Sequence, residues 1–111
     1  MTVILGVDPG SRITGFGIIE VSKRQHRYVT SGCIRLKSSV SYENLSQIYE
    51  GLSSVIERYQ PTEVVVERIF FSNNAGSALK LGQARGAALV AAATKGLKIS
   101  NIPHVKLNKR W

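Results

Sequence analysis

The stretch VILGVDPGSR, residues 3–12, decides the fold, because an apolar run closes on Asp8, the only aspartate in the chain, just before a Pro-Gly turn. A second apolar run, VVV at 64–66, closes on Glu67. A buried carboxylate is costly unless something pairs with it, so an apolar strand does not need a terminal acid for stability. Two such acids favour a shared metal ion. The simpler alternative is that each acid only caps its turn.

The remaining pattern predicts strands at 2–8, 14–21, 27–36 and 63–67, with a polar hairpin turn at 23–26 and a fifth strand that begins at Leu97. The first helix begins at the N-cap Ser41 and ends at Pro61. Its apolar stripe is formed by Leu45, Ile48, Tyr49, Leu52, Val55 and Ile56.

A second helix is predicted from the cap Asn74 to about Lys95. Gly82, Gly86 and many alanines give it one smooth face, which indicates close packing against the sheet or against a partner subunit. The order is therefore βββαβαβ, an α/β fold with a mixed five-stranded sheet. With the first strand central and the fourth beside it, Asp8 and Glu67 end adjacent strands, where one cation could reach both. Oxygen-only ligands favour Mg²⁺ or Mn²⁺.

Fifteen Lys and Arg against seven Asp and Glu give a net charge of +8, which suits a polyanion such as nucleic acid. No apolar stretch reaches the length of a membrane span, and no secretory signal is recognised at the N-terminus. Cys33 is the single cysteine, which fits a reducing cytoplasm, and its strand context predicts a buried, inert thiol.

Four segments together resemble the RuvC family, the bacterial nucleases that resolve four-way DNA junctions on an RNase H-like fold. They are LGVDPGSRITGFG at 5–17, SGCIR at 31–35, the loop after Glu67 with Phe70, and NAGSALKLGQARG at 74–86. The resemblance covers residues 1 to about 100, and the run at 77–86 is its most diagnostic part.

The resemblance implies that Asp8 and Glu67 are two of four metal-binding carboxylates, which hold two Mg²⁺ ions, with Mn²⁺ as the alternative. Phe70 would insert at the junction centre, although packing into the core is its simpler role. The implied DNA contacts also include Arg12, Arg68, Asn73, Asn74, Lys80 and Arg85, although a solvated helix face explains Lys80 and Arg85 almost as well. Phe71 is expected to pack in the core or the loop. The implied partners are the four-way junction, a second copy of the chain across the second helix, and the RuvA–RuvB branch-migration machinery, in the bacterial cytoplasm and without a membrane.

The sequence departs from the family after Ser100. In the family, a last helix supplies the other two carboxylates, and here no aspartate follows Asp8 and no glutamate follows Glu67. Back-translating the expected family peptide and dropping one base reproduces NIPHVKLNKRW and then a stop codon. We therefore interpret residues 1–100 as an incomplete RNase H-like nuclease domain without its C-terminal helices, and residues 101–111 as an out-of-frame tail. Such a chain is expected to be inactive and poorly soluble or molten.

Three alternatives stay open. The chain could be a non-catalytic fragment that binds junctions or forms dimers. It could be a nucleotide-binding domain of the actin and sugar-kinase type, which begins with a similar strand and turn but needs a second lobe. It could also be a YqgF-type protein of the RNase H-like group, for which the run at 77–86 is not expected.

Overall fold

The computed structural model describes residues 1–67 and 75–102 of the chain. In chain order the elements are β1 (Thr2–Asp8), β2 (Ile13–Ser22), β3 (Gln25–Arg35), α1 (Ser41–Tyr59), β4 (Glu63–Glu67), α2 (Ala75–Thr94) and β5 (Lys98–Ile102). The strands form one sheet in the order β3-β2-β1-β4-β5. β1 pairs antiparallel with β2 and parallel with β4, and β4 pairs parallel with β5. The predicted mixed sheet, with β1 in its centre and β4 beside it, is confirmed.

The core lies between one face of the sheet and both helices. The sheet contributes Leu5, Val7, Ile18, Val64 and Val66, and α1 contributes Ile48, Leu52 and Ile56 from the predicted stripe. Alternate residues of a strand point to opposite faces, so the intervening positions of β1 and β2 lie on the other face. In the described part of the chain, no helix is long and apolar enough to span a membrane.

The alanines of α2 pack as predicted, but its glycines do not share their face. Four alanines are buried in the core, namely Ala84, Ala88, Ala91 and Ala92. Gly82 is exposed, and a Cβ built on Gly86 would meet nothing within 4 Å. A helix turns 100° per residue, so positions 82 and 86 lie opposite the buried alanines. The second helix therefore has an alanine face against the core and a separate face with small residues.

The N-cap prediction for Ser41 is wrong by one residue. Ser41 is the first helical residue, and the cap is Val40, which makes no side-chain cap hydrogen bond. The first turn of α1 instead holds the preceding loop: Asn44 accepts a hydrogen bond from the Ser38 backbone N–H at 3.1 Å and donates one to its carbonyl at 2.9 Å. The Ser38 hydroxyl donates to Glu43 at 2.5 Å. At the other end, Gln60 adopts a left-handed conformation just before Pro61, where α1 was predicted to stop.

The turn between β2 and β3 is shorter than the predicted 23–26. Ser22 pairs with Gln25, which leaves only Lys23 and Arg24 in the turn, with Lys23 at φ 51°. His26 belongs to β3, an edge strand whose polar residues face water. The sequence prediction assigned Gln25 and His26 to the turn because they are polar, although both belong to β3.

The prediction of a buried Cys33 is wrong, because the thiol is exposed. Cys33 lies on β3 opposite Gly15 of β2. Because alternate residues of a strand point to opposite faces, Cys33 lies on the face of the sheet that is turned away from the two helices. Its neighbour Gly15 has no side chain that could cover the thiol.

β5 runs through the first two residues of the predicted tail. Asn101 lies opposite Val66, and Ile102 lies opposite Glu67. The rest of that tail, residues 103–111, lies outside the described residues.

Candidate metal centre and nucleic-acid interface

Asp8 and Glu67 lie side by side at the carboxyl ends of β1 and β4. Val7 of β1 lies opposite Val66 of β4 in the parallel register. Asp8 and Glu67 each follow one of these valines, so they are neighbours at the same end of the two strands. Their carboxyl groups are close enough for Asp8 to raise the pKa of Glu67. The structure thus brings together the two residues that the apolar runs singled out, while their role as metal ligands stays a prediction.

The two acids differ in exposure. Glu67 has only 4% of its surface exposed, whereas Asp8 is exposed. Burial, then the hydrogen bond with Asp8, then the charge of Asp8 raise the pKa of Glu67 to about 7. Near neutral pH the pair therefore retains a proton that a divalent cation could displace, since metal ligands must be deprotonated.

The donor chemistry of the pair fits a hard divalent cation. Both side chains offer only carboxylate oxygens, which Mg²⁺ and Mn²⁺ prefer. Oε1 of Glu67 is buried and accepts no hydrogen bond within the described ranges, although Asp8 lies close enough to the carboxyl group to raise its pKa. Within residues 1–67 and 75–102, no third Asp, Glu, His or Cys joins this group. Asp8 and Glu67 would therefore hold such an ion together, as a partial ligand set.

The turn after β1 is fixed by its own residues, and this fixes Asp8. The Thr14 hydroxyl donates to the Gly10 carbonyl at 3.1 Å and accepts from the Gly10 N–H at 3.3 Å. A Cβ on Gly10 would lie 2.1 Å from the Ile13 carbonyl oxygen, so only glycine fits there. The Arg12 carbonyl in turn accepts a hydrogen bond from the Leu36 N–H at 2.8 Å. The DPGSR sequence is thus a rigid turn that connects Asp8 to the end of β3.

A groove of about 210 Å³ leads along the sheet to Asp8. Gly6 pairs with Gly17, and Asp8 pairs with Gly15. These three glycines leave the sheet surface beside the Asp8 side chain open. The remaining lining includes Ser31 and Gly32 of β3. Glycines at 15 and 17 were predicted to allow a close approach of other groups, and the groove is the space that they leave.

Arg12 and Lys80 line one cleft of about 610 Å³, although they are far apart in sequence. Both side chains are exposed. Arg85 is half-buried and lies five residues after Lys80, about 140° around α2, so the helix does not present the two cations on one face. Of the other predicted DNA contacts, Arg68, Phe70, Asn73 and Asn74 lie outside the described residues, as does Phe71.

Sequence reasoning missed the polar residues that complete the same cleft. Ser38, Ser39 and Ser41 come from the loop before α1 and from its first residue, and Gln83 comes from α2. The only signal was the serine-rich stretch SSVS at 38–41, which reads equally well as an ordinary loop.

A family model described as crossover junction endodeoxyribonuclease RuvC matches residues 4–109. The RuvC proteins of Shewanella amazonensis and Shewanella pealeana are 54% and 57% identical to the chain over 100 residues. Each alignment covers 90% of this chain and 58% of the relative, so the chain spans less than two thirds of the length of these relatives.

Solved structures share the fold. A structure described as T. thermophilus RuvC in complex with Holliday junction substrate superposes with a TM-score of 0.86 at 27% identity, over 98% of this chain and 69% of that chain. The yeast mitochondrial Holliday junction resolvase Ydc2 superposes with a TM-score of 0.66 over 90% of this chain and 50% of that chain. At 9% identity, Ydc2 is evidence for the RNase H-like fold alone.

Proposed function

Because the chain belongs to the RuvC family of crossover junction endodeoxyribonucleases, we propose that it carries half of the catalytic centre of a Mg²⁺-dependent nuclease that resolves four-way DNA junctions in recombination and repair. The observation that carries this proposal is the adjacent pair Asp8 and Glu67 at the ends of two parallel strands. A single acid that caps a turn would not need a second acid at the same end of the neighbouring strand.

Asp8 and Glu67 bind and orient the metal in this proposal. The chemistry that two bound Mg²⁺ ions supply is the activation of water and charge neutralisation at the scissile phosphate and the leaving oxygen, with Mn²⁺ as a substitute. Glu67 gives up its proton when the site is loaded, and its burial keeps the carboxylate in one position. The rigid turn that Gly10 and Thr14 form holds Asp8 against it.

The DNA would be held mainly through its phosphates. Arg12, Lys80 and Arg85 are the described cations assigned to this role. Residues 1–100 carry twelve Lys and Arg against seven Asp and Glu, a net charge of +5 that supports a diffuse attraction to the duplex arms. From the sequence, Arg68, Asn73 and Asn74 would add polar contacts to the strand. Phe70 would stack on the unpaired bases at the junction centre.

A second copy of the chain is the proposed partner across α2. The face opposite the buried alanines carries Leu79 and Val90, which are 64% and 55% exposed, with Gly82 and Gly86 between them. These positions form one apolar stripe with room for close helix contact, and a two-fold dimer could cut two opposed strands symmetrically. An interaction with the RuvA–RuvB machinery and a location in the bacterial cytoplasm rest on family membership alone.

For the 111 residues by themselves we propose binding without cleavage. They supply two of the four carboxylates that the family uses, since no Asp follows Asp8 and no Glu follows Glu67. We also propose that residues 101–111 are read out of frame. In this proposal the 111-residue chain is a non-catalytic fragment that binds junctions or dimerises. The nuclease activity belongs to the product of the restored frame.

A gel-shift and cleavage experiment tests both statements. The chain should bind a synthetic four-way junction in preference to a linear duplex of the same length and leave it uncut in Mg²⁺. The gene with one base restored before codon 101 should yield a protein that cuts the junction, and Asp8→Asn or Glu67→Gln in that protein should abolish cutting but not binding. Equal affinity for junction and duplex would refute the binding proposal. Cleavage by the 111-residue chain that Asp8→Asn abolishes would refute the proposal that it is inactive.

A further inference from the structure

A cleft of about 610 Å³ opens between three segments that are distant in sequence. These are the turn after β1, the loop that leads into α1, and the first half of α2. The cleft falls within the 300–1,000 Å³ range of small-molecule sites. Arg12 lines it from the turn after β1, whereas Ile48 and Ala84 belong to the core between the sheet and the helices. The cleft therefore lies on the helix side of the sheet, and Asp8, which follows the core residue Val7 on β1, lies on the other face.

The polar lining of the cleft is positively charged. Arg12 and Lys80 line it together with hydroxyls of Ser11, Ser39 and Ser41. Within residues 1–67 and 75–102, neither of the two cations forms an ion pair. No acidic residue is among the described lining residues. Two unpaired cations and several hydroxyls are the side chains that bind phosphate oxygens in proteins.

One acidic residue lies near the rim. Glu43 is exposed, and it accepts the hydrogen bond of the Ser38 hydroxyl, which also lines the cleft. This hydrogen bond orients Glu43 toward the loop that precedes α1. Its charge weakens the positive field beside Ser38, so the lining favours a phosphate at Arg12 and Lys80 instead.

The floor of the cleft is apolar. It consists of Leu36, Leu45, Ile48 and Ala84, of which Ile48 and Ala84 are fully buried beneath the surface. An inorganic anion would gain nothing from this floor. A nucleotide would place its phosphate between the two cations and its sugar and base on the apolar residues.

We propose that this cleft binds one nucleotide of a single DNA strand, with the phosphate held by Arg12 and Lys80 and the sugar and base resting on Leu36 and Leu45. This proposal rests on the proposed function in taking DNA as the ligand. The cleft would hold the strand on the helix side of the sheet, at a point separate from the acidic pair.

Titration of the ¹⁵N-labelled chain with the trinucleotide d(TTT) tests the location of the site. The backbone amide signals of residues 38–44 and 80–84 should shift, and thymidine monophosphate should shift the same signals more weakly. Inorganic phosphate should need a concentration at least about tenfold higher, because it makes no contact with the apolar floor. Equal affinity for phosphate and nucleotide would overturn the nucleotide assignment, and shifts confined to other segments would overturn the site.

Fluorescence anisotropy with a labelled oligothymidylate tests the two cations. Arg12→Gln and Lys80→Gln should each weaken binding by about tenfold and reduce the slope of log K against log salt by about 0.7, the value for one phosphate contact on a single strand. The matched controls are Arg24→Gln and Lys23→Gln, in the turn at the far end of β2, and they should leave both quantities nearly unchanged. Equal losses in test and control variants would overturn the proposal in favour of diffuse attraction.

A charge introduced at the rim gives an independent test. Ser39→Glu should abolish the d(TTT) shifts, whereas Ser46→Glu, on an exposed position of α1 outside the cleft, should not. The outcomes separate the cleft proposal from the proposed function. Cleft shifts with d(TTT) but no junction preference would sustain the cleft and refute the proposed function. Full junction affinity in an Arg12→Gln and Lys80→Gln double variant would refute the cleft and the assignment of these two cations to the junction, and leave the nuclease centre of Asp8 and Glu67 standing.

Discussion

The stability of the chain should fall as the pH rises from 5 to 8, because Glu67 holds a proton more tightly in the folded state than in the unfolded chain. The pKa of Glu67 is raised from 4.5 to about 7 by burial and by Asp8. Between these two values the folded state binds more protons than the unfolded state, so the free energy of unfolding decreases with increasing pH. At about 1.4 kcal/mol for each pH unit, the full loss is about 3 kcal/mol.

Urea denaturation at pH 5, 6, 7 and 8 in a metal-free buffer measures this loss. We expect a decrease of roughly 2–3 kcal/mol across the series, most of it before pH 7. Glu67→Gln should remove most of the decrease, because the amide cannot ionise. The matched control Glu50→Gln, on the exposed side of α1, leaves Glu67 in place and should retain the decrease.

Mg²⁺ should restore at pH 8 what ionisation removes. A cation that binds the ionised pair stabilises the folded state by mass action, by about 2.7 kcal/mol at a concentration 100 times its dissociation constant. Asp8→Asn and Glu67→Gln should both abolish this gain. A wild-type stability that stays flat from pH 5 to 8, or a Glu67→Gln variant with the same decrease as wild type, would refute the reasoning.

Three substitutions test the turn and the small face of α2 by chemical denaturation. Gly10→Ala should destabilise the chain by at least about 2 kcal/mol, because its Cβ would lie 2.1 Å from the backbone oxygen of Ile13. Thr14→Val should cost about 1–3 kcal/mol, since it removes both hydrogen bonds to Gly10 and keeps the shape of the side chain. Gly86→Ala should stabilise the monomer by about 0.5–1 kcal/mol, because the position is helical with open space around it. If the stripe on α2 is the dimer contact, the same variant should also dimerise more weakly by sedimentation.

Thr14 offers a matched control variant, and each of the two glycine variants has an outcome that would contradict the reasoning. Thr14→Ser keeps the hydroxyl and should retain more stability than Thr14→Val, whereas the reverse order would show that the methyl group matters more than the hydrogen bonds. A tolerated Gly10→Ala would mean that the turn can move, and Asp8 with it. A destabilising Gly86→Ala in the monomer would mean that this side of α2 is covered.

The sequence predicted the elements whose pattern repeats along one segment, although it misplaced the ends of some of them, such as the N-cap of α1. The spacing of Ile48, Leu52 and Ile56 predicted the buried stripe of α1, because a helix repeats its face within a few residues. The two apolar runs predicted which strands carry Asp8 and Glu67, and the helix that connects β3 to β4 made a parallel neighbour the expected partner. These inferences use local periodicity and chain connectivity, both of which can be read from the letters.

Other features depend on what lies across from a residue, and there the predictions were wrong or silent. The sequence around Cys33 is typical of a buried strand. Cys33 nevertheless lies on an edge strand opposite Gly15, and this position leaves its thiol exposed. The cleft that holds Arg12 and Lys80 is assembled from three segments, so no local pattern marks it.

The asymmetry between the two acids has the same non-local origin and bears directly on function. Both acids end apolar strands, yet Glu67 is buried and Asp8 is exposed. The pKa of Glu67 is therefore raised by its surroundings, with Asp8 as one of the causes. A buried carboxylate positioned by its strand and an exposed one held by a rigid turn form a pair with a fixed inner ligand and an accessible outer one. In the proposed metal site, a cation would enter from the side of Asp8, next to the groove beside Gly15 and Gly17, and the turn of Gly10 and Thr14 would hold the exposed ligand in place.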